Sequence, residues 1–214
     1  MRTEDLIADL ASRAAPVRPL PAPGVRLLEW AGVAIGCGAV SIAAFGARPD
    51  IREALGQAEF ITDAMVALGT TALAGAASLV LAIPGARRST GLQRSTMAVV
   101  AAWTVMLVTG VVRAGHGFTA ASDWPVCFMR VVMIGLVPAV VLFGMLRRSA
   151  PLQLSRTGAL AAAAAMATGA LALQFICPQT DPGHLLLGHL APVFVMGAVG
   201  ALMLKHLMNE RRRN

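Results

Sequence analysis

Residues 128–146 read FMRVVMIGLVPAVVLFGML, a nearly unbroken apolar run whose one charged residue, Arg130, lies near its start. About 20 such residues in a helix cross the hydrocarbon core of a bilayer, and a helix satisfies its own backbone polar groups in lipid. Five further stretches have the same character, so the sequence predicts six membrane-spanning helices. The predicted spans cover residues 27–45, 60–83, 95–112, 128–146, 158–176 and 185–204.

The composition of the whole chain agrees with this interpretation. Hydrophobic residues make up 57% of the 214 residues and charged residues 14%, and the mean hydropathy is +0.69. A soluble domain has about 45–50% apolar and about 25% charged residues. We therefore predict an all-α fold, a polytopic membrane protein built as a bundle of six transmembrane helices. The fifth span is rich in alanine, and small residues favour close helix packing in lipid.

The Lys and Arg residues are distributed unequally over the two ends of the predicted bundle. Fourteen of the 18 lie in the N-terminal segment, the second and fourth loops and the C-terminal segment. The positive-inside rule then places both termini in the cytoplasm. This asymmetry accounts for the net charge of +7, so we predict no direct nucleic acid binding. The predicted organisation is a cytoplasmic helix with a Pro-rich linker (1–24), a six-span transmembrane domain (25–207) and a basic cytoplasmic tail (208–214).

Two cysteines are predicted to lie at the outer mouth of this bundle, each beside a proline. Cys127 ends the segment WPVC (124–127) before the fourth span, and Cys177-Pro178 follows the fifth. Outside the inner membrane of a bacterium disulfides persist, so a thiol pair here can change its covalent state with its surroundings. The alternative is that each is a small buried hydrophobe. Cys37 falls mid-membrane among glycines whose Gly-x-x-x-Gly spacing is typical of a helix contact surface: Gly32, Gly36 and Gly38.

Charged and imidazole side chains are predicted at the same mouth. Charge at this depth is costly unless paired, so we expect interfacial ion pairs, with a transport pathway as the alternative. The charged residues concerned are Glu59, Asp63, Arg113 and Arg130. His116, His184 and His189 together with the two cysteines are the residue types of a soft-metal site. Their spacing does not match a zinc signature such as Cys-x-x-Cys paired with His-x-x-x-His, so we assign no metal ligand and no cofactor.

The segment before the first span is predicted to form a short amphipathic helix followed by a stiff spacer. Leu6, Ile7, Leu10 and Ala14 form an apolar stripe, and Asp9 and Arg13 have the i,i+4 spacing of an ion pair. The spacer that follows contains Pro16, Pro19, Pro21 and Pro23, with Val17 and Leu20 as further contact side chains. So short a helix needs a partner for its apolar face. This partner is a protein groove, the lipid surface or the rest of this chain, and a disordered or lipid-resting tail is the alternative to the protein groove.

Several segments together resemble the NrsF-type negative regulators of sigma factor. They are TEDLIADL (3–10), APVRPLP (15–21), WPVCFMR (124–130) and Cys177-Pro178 followed by His184, and the resemblance extends over nearly the full chain, including the span count. It implies an inner-membrane anti-sigma factor that holds an extracytoplasmic-function (ECF) sigma factor at the cytoplasmic face. Oxidants or heavy metals reaching periplasmic Cys127 and Cys177 would cause its release. The sigma-binding residues implied are Asp5, Leu6, Ile7, Asp9, Leu10, Val17 and Leu20.

Other classes of membrane protein fit the sequence less well. A thiol oxidoreductase usually needs a Cys-x-x-Cys pair and a second pair for relay, and the chain has neither. A transporter of small solutes or metal ions would be supported by polar residues deep within several spans, but the span centres are nearly free of charge. A passive assembly factor is a third alternative. No phosphate loop, metalloprotease helix or nucleophile elbow occurs, so we expect no enzymatic activity.

Overall fold

The computed structural model of the chain describes residues 2–13, 20–83, 89–115, 123–149 and 151–213, and in this part of the chain the regular elements are all helices. The first seven are α1 (Thr3–Arg13), α2 (Pro23–Phe45), α3 (Ile51–Ala54), α4 (Ala58–Leu81), α5 (Ser89–Ala114), α6 (Trp124–Arg147) and α7 (Leu154–Gln174). The last span is composite. It consists of α8 (Pro182–His184), a π-helical turn (Leu185–Leu190) and α9 (Ala191–Arg213).

Six of these helices are long and apolar enough to cross a membrane, which confirms the predicted all-α bundle of six spans. They are α2, α4, α5, α6, α7 and the composite last span. The outermost helix, α2, buries only 11% of its most apolar window inside the protein. Its large apolar side chains, such as Leu28 and Ile35, point away from the other helices. This exposed apolar surface is the one that lipid covers.

The centre of the bundle is α7, the alanine-rich span, of which 83% of the apolar window is buried. It packs against α4, α6 and α9. Close approach is possible because glycines meet the neighbouring backbones: a Cβ at Gly169 would overlap the Val131 carbonyl oxygen, and one at Gly158 would overlap that of Gly200. Helices in lipid associate through such close packing, because the lipid removes the usual hydrophobic driving force.

Trp30 attaches α2 to the half of the bundle away from the two cysteines. Its indole is fully buried, and its Nε1 donates a hydrogen bond of 3.0 Å to the carbonyl oxygen of Pro138 within α6. The indole lies against Gly75, where a Cβ would come within 2.8 Å of the ring. Nearby, Arg26 Nη2 donates to the Met145 carbonyl oxygen at 2.6 Å. Polar anchors to α6 thus hold a helix that is otherwise mostly exposed to lipid.

The predicted contact surface around Cys37 is wrong within the described chain. A Cβ at Gly32 or Gly36 would meet nothing within 4 Å, while one at Gly38 would touch Ala172 at 3.8 Å. Cys37 itself is partly exposed. The small residues of α2 therefore do not form the main helix contact. That surface belongs to α7, where alanines and glycines line several sides of the helix.

Helix α1 is amphipathic, as predicted, and none of its residues is buried. Leu6, Ile7 and Leu10 are 40%, 61% and 60% exposed, and Arg13 pairs with Asp9 at 2.8 Å. At the other terminus, α9 continues as a helix to Arg213. Among the residues named from sequence, those outside the described part of the chain are Ala14, Pro16, Val17, Pro19 and His116.

We predict that Gly158→Ala destabilises the bundle, because the new methyl group would overlap the Gly200 backbone on α9. Overpacking of this kind costs about 1–3 kcal/mol. The thermal unfolding midpoint of the detergent-solubilised protein should fall by several degrees. Gly36→Ala is the matched control, since open space surrounds that position. Equal midpoints for the two variants would contradict the close α7–α9 contact.

Candidate functional site

Four buried side chains meet where α6 begins, α7 ends and the last span begins. They are Cys127, Cys177, His184 and His189. The two sulfur atoms are 3.6 Å apart, and Cys177 Sγ lies 3.5 Å from His184 Nε2. One ligand atom from each of the four residues lies within 4.8 Å of all the others. The structure thus brings together the two cysteines and two of the three histidines that the sequence places at this mouth.

Local sequence explains where each sulfur lies. Pro125 lies in the first turn of α6, where a missing N–H costs nothing, and Cys127 follows within that turn. The backbone N–H of Cys177 bonds to the Leu173 carbonyl at 2.7 Å, so Cys177 extends the end of α7 by one more turn. Pro178 then prevents the helix from continuing. Each cysteine is therefore on or next to a packed helix end.

Arg48 holds the segment that carries Cys177. Its guanidinium forms two hydrogen bonds of 2.7 Å with Asp50 and a third of 3.3 Å with the Pro178 carbonyl oxygen. Its backbone N–H also donates to the Phe175 carbonyl at 2.9 Å. The bonding to Asp50 raises the pKa of Arg48 and lowers the pKa of Asp50. The connection between α2 and α4 thereby fixes the position of the second thiol.

The π-helical turn brings His184 and His189 together. In a regular α-helix residues five apart point about 140° away from each other, because each residue turns by about 100°. A π-helix bonds residue i to i+5, as Ala191 N–H does to the Leu186 carbonyl, so residues five apart approach one face. The two imidazole centroids are 5.8 Å apart. Gly188 lies between them; a Cβ there would crowd Cys127 Cβ at 3.1 Å.

A chain of hydrogen bonds extends from His189 into the bundle. His189 Nδ1 lies 3.4 Å from Gln174 Nε2, and the same amide donates to Asp63. Trp103 Nε1 donates to the other Asp63 oxygen at 2.5 Å. All four side chains are buried. The expected pairing of Asp63 with an arginine is therefore wrong: neutral donors satisfy this carboxylate.

Arg130, one of the arginines concerned, instead packs over the Phe45 ring at 5.1 Å. Glu59, predicted to share a helix face with Asp63, is exposed at the rim. A cavity of about 460 Å³ lies beside this rim and is lined by Glu59, Arg113, Asp63 and Gln174. The cavity reaches the hydrogen-bond chain from the same end of the bundle as the two cysteines. The cavity therefore reaches Asp63 and Gln174, while Cys127, Cys177, His184 and His189 do not line it.

The chemistry of the cluster is that of a dithiol flanked by imidazoles. Hydrogen bonds with Cys127 and His184 lower the pKa of the Cys177 thiol below its ordinary value, although burial acts in the opposite direction. A thiolate attacks oxidants and binds soft metal ions far better than a thiol does. Cys127 lies in contact with Cys177 and is the natural resolving partner. The arrangement suits disulfide formation or the binding of a soft ion.

The residues that the sequence analysis missed are Gln174 and Trp103. Gln174 could have been recognised from the sequence as part of a polar site, because an amide at the end of an apolar span is costly unless it has a partner. His184 and His189 were placed at the correct end, but their spacing concealed their proximity. The other predicted site residues form no part of the cluster: Asp5, Leu6, Ile7, Asp9 and Leu10 lie unburied on α1, and Leu20 is exposed in the connection to α2.

Together these features define a polytopic all-α membrane protein with a buried thiol–imidazole cluster at one end of its bundle. The family model NrsF, described as negative regulator of sigma F, matches residues 10–209. This match extends over nearly the whole chain, so the chain belongs to the NrsF family of negative regulators of a sigma factor. No curated protein and no solved structure matches it. The match begins at Leu10, so most of the predicted sigma-binding residues precede it.

We predict that diamide converts Cys127 and Cys177 into an intramolecular disulfide in the chelator-treated protein. The sulfurs need to move from 3.6 Å to a bond length of about 2.05 Å while losing two electrons and their protons to the oxidant. Peptide mapping after alkylation should show a linked 127–177 pair and a free Cys37. Cys127→Ser is the control that abolishes the link. A wild-type protein in which both thiols remain alkylable would contradict the geometry.

Proposed function

We propose that the chain is an inner-membrane anti-sigma factor of the bacterial cell and has no catalytic activity. It holds an ECF sigma factor at the cytoplasmic face and releases it when oxidant or heavy-metal stress reaches Cys127 and Cys177 from the periplasm. The observation that carries the proposal is the contact of the two thiols at 3.6 Å in a chain of this family. A regulator of a cytoplasmic protein can respond to chemical conditions outside the inner membrane if a reactive thiol pair lies at the opposite membrane face.

The orientation rests on the distribution of charge. The loops and helix ends on the side of the two cysteines carry four of the 18 Lys and Arg residues, and the termini and the loops and helix ends of the opposite side carry the others. The excess of positive charge favours the cytoplasm. In this orientation α1 lies in the cytoplasm, while the cluster faces an oxidising compartment where a disulfide persists.

Helix α1 supports the sigma-binding part of the proposal. It has only 11 residues, and helices shorter than about 12–15 residues are marginal in water without a partner. Its stripe of Leu6, Ile7 and Leu10 is exposed in the free chain. An apolar stripe at this spacing fits a hydrophobic groove on another protein. We propose that the sigma factor supplies this groove, with Asp5, Asp9, Val17 and Leu20 as further contacts.

The coupling between the two faces requires two states that differ in sigma affinity. Reaction at Cys127 and Cys177 changes the contact between the start of α6 and the end of α7, two helices that pack directly against each other. A chemical event shifts such an equilibrium only to the extent that the free energy of the reaction differs between the two states. About 1–3 kcal/mol is a usual coupling energy, which corresponds to a graded release.

We predict that the tagged, full-length protein captures a sigma factor from solubilised membranes and that Leu6→Asp/Leu10→Asp weakens this capture. Loss of a central apolar anchor costs about 2 kcal/mol or more, so binding should fall by about 30-fold. Ala8→Asp/Ser12→Asp is the matched control, because it adds the same two charges on the opposite face of α1. Absence of any sigma factor with the wild-type protein would remove the anti-sigma assignment.

We predict that Cys127→Ser and Cys177→Ser each abolish the induction of the sigma-dependent transcripts by diamide or cadmium. Each variant retains one thiol and cannot form the pair, so the reaction that drives release is lost. Repression without stress should be unchanged. Transcript levels in the host bacterium measure the effect, and Cys37→Ser should behave as wild type, since Cys37 lies outside the cluster. Full induction in either cluster variant would exclude the thiols as the input.

A further inference from the structure

We propose that Cys127, Cys177, His184 and His189 form a tetrahedral site for one divalent zinc-class ion, with both thiolates and both imidazoles as ligands. The inference deepens the proposed function, on which its regulatory meaning rests: the resting sensor would be the zinc-loaded cluster. The existence of the ion site depends only on the geometry of these four side chains. It can therefore be tested without a sigma factor.

Two of the distances between ligand atoms match the edges of a zinc tetrahedron, and the remaining ones are bounded by 4.8 Å. Zn–S bonds of about 2.3 Å and Zn–N bonds of about 2.0–2.1 Å at tetrahedral angles give S···S edges of about 3.8 Å and S···N edges of about 3.6 Å. The sulfurs here are 3.6 Å apart, and Cys177 Sγ lies 3.5 Å from His184 Nε2. All the ligand atoms lie within 4.8 Å of one another. Small side-chain adjustments therefore suffice to surround one ion.

A second, independent observation points to a ligand at His189. This side chain is 1% exposed, and its Nε2 has no hydrogen-bond partner among the residues that the structure describes. Buried polar atoms without partners are rare because they lose their hydration and gain nothing. Gln174 engages the other nitrogen, Nδ1. Ligation through Nε2 requires the proton on Nδ1, so the Gln174 amide would turn by a half rotation to accept that proton with its oxygen, and Asp63 in its neutral acid form would then donate to the same oxygen.

The supporting residues are those that a metal-binding histidine usually has. Ligating imidazoles are oriented by a hydrogen bond from the second nitrogen to a carboxylate, carbonyl or amide oxygen. Gln174 occupies this position next to His189, and Asp63 and Trp103 in turn fix Gln174. Gln174 is therefore a positioning residue, since it would act through His189 and not touch the ion. The π-helical turn supplies both imidazoles from one segment, and such turns occur frequently at functional sites.

The donor set determines the class of ion. Thiolate with imidazole suits zinc and similar soft or borderline ions, whereas Mg²⁺ and Ca²⁺ require oxygen ligands. Four protein ligands close the tetrahedron, which is the form of a structural or regulatory site and not of a catalytic one. Binding displaces the thiol protons to water and leaves the oxidation state of sulfur unchanged. Thiophilic ions such as Cd²⁺ would compete for the same four ligands.

The test is the metal content and Co²⁺ spectrum of the full-length protein, purified reduced in detergent and dialysed after addition of zinc. We expect about one zinc per chain. We expect near-complete loss in the Cys127→Ser/Cys177→Ser double variant and in His184→Phe and His189→Phe, which retain an aromatic ring. Each His variant should bind more than about 100-fold more weakly, because loss of supporting residues alone costs about 10- to 100-fold. Cys37→Ser and His206→Phe are the controls and should retain full zinc.

Spectroscopy keeps the proposal testable if a variant does not fold. Co²⁺ bound to the wild-type protein should show intense visible bands of tetrahedral geometry and sulfur-to-cobalt charge transfer. A folded wild-type protein that takes up no more zinc than the double variant, or a pale octahedral Co²⁺ spectrum, would overturn the site. Zinc binding without sigma capture would instead contradict the proposed function alone. Thiol-dependent release from a zinc-free protein would contradict only the zinc-loaded resting state.

Gln174→Leu separates positioning from ligation. We expect a stoichiometry near one zinc per chain at saturation, with an affinity about 10- to 100-fold lower than that of the wild type. Gln153→Leu is the control, since Gln153 lies before α7 at the other end of the bundle. An unchanged zinc affinity in Gln174→Leu would show that the hydrogen-bond chain is structural only.

Discussion

Close backbone contact around α7 is the constraint on which the rest of the bundle depends. Apolar helices have no hydrophobic reason to associate in lipid, so they must gain dispersion energy by approaching closely. Gly169 allows the α6 backbone at Val131 to lie directly against α7. Cys127 is one helical turn before Val131, and Cys177 follows the end of α7, so this contact determines how near the two sulfurs come. A bulkier α7 would separate the thiols.

Buried polar groups in such a bundle must satisfy each other, because lipid offers them no hydrogen bonds. The chain from His189 through Gln174 and Asp63 to Trp103 does so and connects four helices: the last span, α7, α4 and α5. Networks of this kind have few alternative arrangements, since each partner that moves leaves another unpaired. A chemical change at the thiols is therefore adjacent to a rigid set of contacts that extends across the bundle. Helix α2 is not part of this network: it lies mostly against lipid and is attached through Trp30 and Arg26.

The sequence alone was sufficient for the six spans, because long apolar runs such as residues 128–146 have few alternatives in a chain of this composition. It also placed Cys127 and Cys177 at one end, since that follows from counting spans. The convergence of the imidazoles was not predictable by spacing, because the rule that residues four apart share a face assumes an α-helix, and Leu185–Leu190 is π-helical. The partners of Asp63 depended on which helices are neighbours, a tertiary fact. The Gly-x-x-x-Gly spacing in α2 predicted a helix contact that is not present, because the same spacing also occurs on a surface that no other described helix covers.

The aromatic side chains have a practical consequence. The chain contains three tryptophans and no tyrosine, so its near-ultraviolet emission comes essentially from indole. Trp103 is bonded to Asp63 beside the cluster, Trp124 lies three residues before Cys127, and Trp30 is enclosed in the opposite half of the bundle. The protein thus carries its own fluorophores in both halves of the bundle, and their emission can follow an event in either half in real time without any attached dye.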